Sequence, residues 1–110
     1  MTPRAIQKSL YTTLSNLVVL AEEVITRPRF DRITFGGRLS DLAVEVRSAD
    51  ARPAEDVRTT QVAMVMIICL EEIRDRNEDA AMHWRMLAGA SLPMLRGDAW
   101  LAMKQEREQR

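Results

Sequence analysis

Val62-Ala63-Met64-Val65-Met66-Ile67-Ile68-Cys69-Leu70 is a run of nine residues with no charge, no hydroxyl and no side-chain amide. It lies inside a longer stretch, Pro53 to Arg76, that otherwise reads as a charged helix. Pro53 opens that helix, and Glu55 and Asp56 stand in its first turn, where acidic groups oppose the partial positive charge of a helix end. Glu71, Glu72, Arg74, Asp75 and Arg76 return it to water. A surface helix shows one apolar stripe, whereas a helix apolar on every side must be covered all round. Nine residues fall far short of the roughly 20 needed to cross a bilayer, so the cover has to be protein. A chain of 110 residues has few other elements to supply it. The run therefore predicts a second copy as its lid, with Val62, Val65, Met66, Ile67, Cys69 and Leu70 as the self-association residues.

Upstream, Thr2-Pro3 offers a capping hydroxyl followed by proline at the first helical position. Ile6, Leu10, Leu14, Leu17, Ala21 and Val24 then repeat at intervals of three and four, the seam of an amphipathic helix. It should stop by Thr26 or Arg27, because Pro28 disfavours helical geometry in the residue before it. Residues 27–38 predict a loop, with Gly36-Gly37 as its turn; the alternation of Ile33 and Phe35 leaves a short hairpin as the alternative. A shorter helix is expected over Leu39–Ala49, although Leu42, Val44 and Val46 also fit a strand.

Downstream, Asn77 reads as a break or cap, with continuation of the helix through it equally defensible. A further helix is expected over Glu78–Ala90. Ser91-Leu92-Pro93 and Gly97 punctuate the next stretch, and Asp98 can cap a final short helix carrying Trp100, Leu101 and Met103. The polar tail, about 104–110, is expected to fray. The expected fold is thus all-α: a single domain over 1–110, a small bundle of three to five helices, paired as a homodimer through its long helices.

The chain has 16 basic and 16 acidic residues and no net charge, which argues against general nucleic-acid binding as its main task. The apolar fraction of 46% and the charged fraction of 29% suit a folded protein rather than a disordered one. Aromatic residues are only 5%, so aliphatic and methionine side chains must fill the interior. Fourteen of the basic residues are arginine. Cys69 is the only cysteine, which precludes an internal disulfide and fits a reducing cytoplasm. No secretory signal is visible at the start, where Lys8 and several hydroxyls interrupt any apolar core.

Chemistry-bearing patterns are few. One histidine, His83, and one cysteine cannot form an ordinary zinc site, so no metal or cofactor is expected. The serines sit in no nucleophile-elbow context. Glu22-Glu23 and Glu71-Glu72 are paired acids, but neighbours on a helix point about 100° apart, and no catalytic residue is assigned. The segment with most recognition character is Arg27–Arg38. Arg29, Phe30, Arg32 and Phe35 combine planar cations with aromatic rings, as protein-contact anchors do. A DNA-associated accessory role for Arg27, Arg29, Arg32 and Arg38 is the alternative. Methionines concentrate in the second half, at 64, 66, 82, 86, 94 and 103; methionine fills cores and also suits accommodating binding faces.

The size, the Thr-Pro-Arg-Ala-Ile-Gln opening (residues 2–7), the arginine-rich composition and the Val62–Leu70 helix together resemble the QslA-like quorum-sensing antiactivators of pseudomonads. The resemblance is of the whole chain and carries no motif. The residues themselves lead to the expectation of a cytoplasmic, non-enzymatic protein; the resemblance implies that it binds the ligand-binding domain of a LuxR-type transcriptional activator such as LasR, disrupts its dimerisation and so blocks DNA binding. No site residue comes with it.

Overall fold

Four helices make up the computed structural model, which describes residues 10–27, 31–47, 57–76 and 78–108: α1 (Leu10–Thr26), α2 (Arg32–Arg47), α3 (Val57–Asp75) and α4 (Glu78–Glu108). Among the described residues there is no strand, so the fold is all-α, and no helix is long and apolar enough to cross a membrane. The Thr2-Pro3 start, the Pro53 opening and Asn77 lie outside the described residues.

Over its described side chains the first helix follows its seam; Ile6 and the Leu10 side chain lie outside them. Leu14, Leu17, Leu20, Ala21 and Val24 are buried on one face. At its end the Thr26 hydroxyl donates to the Glu22 carbonyl (2.6 Å) and the Arg27 N–H to that of Glu23 (3.1 Å), closing the last turn one residue before Pro28. Thr13, buried with the leucines, donates its hydroxyl to the Glu45 carboxylate of α2 at 3.4 Å.

The second helix corrects the expected loop over 27–38. It begins at Arg32 and runs straight through Gly36-Gly37, with no positive φ among the described residues. Asp31 starts it. One carboxylate oxygen accepts the Ile33 N–H (3.0 Å), the other the Thr34 hydroxyl (2.7 Å), and the Asp31 carbonyl takes the Phe35 N–H (2.9 Å). This is an N-cap, a short acceptor satisfying donors that have no partner in the first turn. Phe35, Leu39, Leu42, Ala43 and Val46 then fall on one buried face. Two interior glycines cost about 1 kcal/mol each against alanine, which burial of a phenylalanine side chain offsets.

These hydrogen bonds hold the Asp31 carboxyl below the usual carboxylate range, with the Thr34 hydroxyl contributing most. A depressed folded-state pKa stabilises above the unfolded value and loses that contribution as pH falls through the folded one. Asp31→Ala should therefore lower the melting temperature at neutral pH, and the gap between variant and wild type should close as the solution is acidified below Asp31's own pKa.

The third helix carries the apolar run. Ala63, Met66, Ile67, Cys69, Leu70 and Ile73 are buried; Val62 and Met64 are half-buried; Val65 and Ile68 stand outside. The expectation that one chain cannot shelter this segment does not hold for Met66, Ile67, Cys69 and Leu70. They are enclosed by their own chain, because α2 and α4 flank α3 and α1 meets it across the centre.

The fourth helix is the larger correction. The expected stop at Ala90 and the separate final helix capped by Asp98 are replaced by one helix of 31 residues that continues into the polar tail as far as Glu108. At 1.5 Å per residue it is about 46 Å long, matching the longest dimension of the molecule, 45 × 28 × 19 Å. Pro93 lies within it. An interior proline removes one helical hydrogen bond and crowds the carbonyl four residues earlier, here that of Gly89. The helix persists because Ala88, Leu92, Leu95, Ala99 and Ala102 bury a continuous face on either side of the proline. Pro93 itself is exposed, so the crowding falls toward solvent. Pro93→Ala should restore the lost bond and raise stability by about 1–3 kcal/mol, read as a higher melting temperature.

Each helix packs against the next, and α4 closes back on α1, with the broadest contacts at α3–α4 and α1–α4. The polar ties show that α1 and α4 run antiparallel. The Glu106 carboxylate accepts the Tyr11 N–H (3.3 Å), Arg96 grips Glu22 (2.8 and 3.0 Å), and Arg85 donates to the Val24 carbonyl.

Candidate functional site

The sequence candidates fall into two groups, those committed to the fold and those left on the surface. Phe35 is a core residue, 3% exposed, so it faces inward and not toward a partner. Arg32 is exposed, but its guanidinium donates to the carbonyls of Arg74 (2.6 Å) and Arg76 (3.3 Å), across from the start of α2 to the end of α3. A cation there satisfies carbonyls that lack helical partners and meets the negative end of the helix dipole. Arg29 and Phe30 lie outside the described residues. Of the two described anchors, Phe35 faces the core and Arg32 ties the start of α2 to the end of α3.

The paired acids do not converge either. Glu22 pairs with Arg96 (2.8 Å), Glu23 with Arg38 (2.7 Å), Glu71 with Arg47 (3.8 Å) and Glu72 with Arg76. Three of these four join different helices, which gives the arginine excess a structural use, although exposed pairs add little stability individually. Arg74 and Asp75 pair side by side (2.7 Å), which lowers the Asp75 carboxyl and raises the Arg74 guanidinium. Burial pushes the Cys69 thiol up, so it carries little thiolate at neutral pH and is a poor nucleophile. His83 packs edge-on against the neighbouring Trp84 ring, centroids 5.4 Å apart. No group of three metal-ligating side chains occurs among the described residues.

A cleft of about 310 Å³ lies between α1 and α2, with Glu23, Arg27, Asp31 and Arg38 around Leu20, Val24 and Phe35. Two arginines and two carboxylates balance there, and Arg38 is already held by Glu23. The cleft therefore has no excess charge with which to select an ionic ligand.

The outer face of α4 is different. Between Met82 and Leu101 its exposed residues are Met82, His83, Met86, Leu87, Ala90, Pro93, Met94, Arg96, Gly97, Trp100 and Leu101. The single formal charge among them, Arg96, sits at the edge toward α1, tied to Glu22. Met82, Met86, Met94 and Trp100 are each more than half exposed, and Leu87 and Leu101 somewhat less. Lys104 lies beyond, its ammonium 5.4 Å from the Trp100 ring centroid. Side chains at 82, 86, 90, 93, 97 and 101 recur at helical spacing, so they form one stripe about 28 Å long. Solvent-facing helix surfaces are ordinarily polar; this one is apolar along five turns. The methionines are visible in the sequence but the stripe is not, because a break at Ala90 divides it. No family model, curated protein or solved structure matches this chain.

Proposed function

We propose that this protein is a small regulator that acts by direct binding to another protein, and that the outer face of α4 is its binding surface. The observation that carries the reading is the exposed, uncharged stripe from Met82 to Leu101. An apolar patch of this extent on the surface of a folded domain marks an interaction site. Methionine, with three rotatable bonds and a polarisable sulfur, lets such a patch adapt to its partner, and a half-exposed tryptophan supplies an anchor. The reading places chemistry in contact rather than catalysis. The resemblance to QslA-like antiactivators names a specific target: the ligand-binding domain of a LuxR-type activator, whose own dimerisation would be blocked. The arginines that would serve the DNA-binding alternative are turned to other uses at positions 32 and 38, so protein binding is the favoured role.

The test is capture of a purified LuxR-type ligand-binding domain by the immobilised chain, compared with Met86→Arg and Met94→Arg. Both positions are exposed, so the variants should keep their helical circular dichroism. Wild type should retain the domain and abolish DNA binding by the full activator, and each arginine should weaken capture at least tenfold. Equal capture by all three would remove the surface; no capture by wild type would remove this target.

A further inference from the structure

The apolar stripe has an internal symmetry that specifies its occupant. Positions 82, 86, 90, 93, 97 and 101 are separated by four, four, three, four and four residues, a spacing that reads the same from either end. We infer that in the isolated protein this face is covered by a second copy of the chain, its α4 laid antiparallel on the first about a two-fold axis passing between residues 91 and 92. The inference rests on reading the face as a binding surface and goes beyond it by naming what covers that surface while no other protein is bound, and in which register.

A two-fold contact requires a self-complementary patch, in which residue i meets residue j and j meets i. End-for-end reversal sets Met82 against Leu101, Met86 against Gly97 and Ala90 against Pro93. The bulkiest side chain of the stripe's inner turns thus meets the residue with none, and the middle is built from small or compact side chains. A side chain added at Gly97 meets nothing within 4 Å in the single molecule, so the notch is open and free to receive Met86 of a partner. The row contains no charge, so reversal brings no like charges together. Six large apolar side chains on this face, Met82, Met86, Leu87, Met94, Trp100 and Leu101, are each between 41% and 70% exposed. They amount to roughly 600 Å² of apolar surface per chain, about half of the 1,200 Å² total that the smaller stable interfaces bury. Pairing also supplies cover for α4, the helix that spans the whole length of the molecule, without calling on Met66, Ile67, Cys69 or Leu70, which are already enclosed.

The register is tested by cross-linking. Met86→Cys and Gly97→Cys are prepared as separate proteins, with Cys69 left in place because it is buried. In the proposed register position 86 of one chain lies opposite 97 of the other, whereas 86 and its own symmetry mate are displaced by about 16 Å along the helix, far beyond disulfide reach. Mixing the two variants under mild oxidation should therefore give a linked dimer containing one of each, and neither alone should link. Light scattering on unmodified protein should report a dimer, and Met86→Arg should raise the dimer dissociation constant at least tenfold with helix content unchanged. Linking of either variant to itself in preference to the other, or a wild-type monomer at millimolar concentration, would overturn the inference. A monomer whose capture of the activator domain is still lost in Met86→Arg would overturn the pairing alone and leave the binding surface standing.

Discussion

Ile67→Ala should unfold at markedly lower denaturant than wild type, while Ile68→Ala should differ little. The two residues are adjacent and chemically identical, yet Ile67 is fully buried and Ile68 is 46% exposed. Truncating a buried isoleucine to alanine costs about 2–5 kcal/mol, the transfer energy of the lost carbons plus the cavity left behind. The same change at a half-exposed site leaves no enclosed void and should stay under about 1 kcal/mol. Against a total stability of about 5–15 kcal/mol, the first loss is severe. Urea melts of both variants at low concentration check it directly. If Ile68→Ala proved as costly as Ile67→Ala, the outer side of α3 would be covered as well, and the apolar run would need the external lid that its composition suggests.

That contrast shows where sequence and structure part. The all-α class, the α1 seam and its stop before Pro28 are legible because amphipathic spacing and proline act locally. The run Val62–Leu70 is legible as a helix needing cover, but its supply of cover is not. Shelter depends on how much surface the rest of the chain presents, and local signals understate that surface twice. Gly36-Gly37 reads as a turn, which hides the first part of α2 and the inward-facing Phe35. Pro93 and Gly97 read as breaks, which hides the last part of α4. In each case a local preference of about 1–3 kcal/mol yields to burial of several apolar side chains on one face, a contribution that becomes visible only when the neighbouring helices are in place. Asp31, the cap that starts α2, is itself readable as an N-cap, and the phenylalanine four residues after it is the clue that the helix begins there. The candidate site is legible only in its ingredients. Methionines and tryptophans can be counted in a sequence, but whether they face in or out requires the helix to be continuous. Arg32 and Phe35 show the converse: a basic–aromatic cluster in sequence is divided in space between a helix end and the core.

A chain ending at Ala90 should fail to fold, and this is the sharpest consequence of α4 being one helix. The residues removed include Leu92, Leu95, Ala99 and Ala102, all buried, together with Arg96, which grips Glu22, and Glu106, which accepts the Tyr11 N–H. Full burial of a leucine contributes about 1.5–3 kcal/mol. Two leave with the segment, and part of the α1 surface that packs against α4 is opened at the same time. The two leucines alone account for about 3–6 kcal/mol, and with the opened α1 surface added the loss becomes comparable to the whole stability of a domain this size, about 5–15 kcal/mol. The shortened chain should show reduced helical circular dichroism, collapsed amide dispersion and no cooperative melt. Had the segment after Ser91 been a short helix appended to a finished bundle, the same truncation would leave a folded core with a modestly lower melting temperature. The two outcomes differ in kind, because the leucines on either side of Pro93 belong to one packing face or to two.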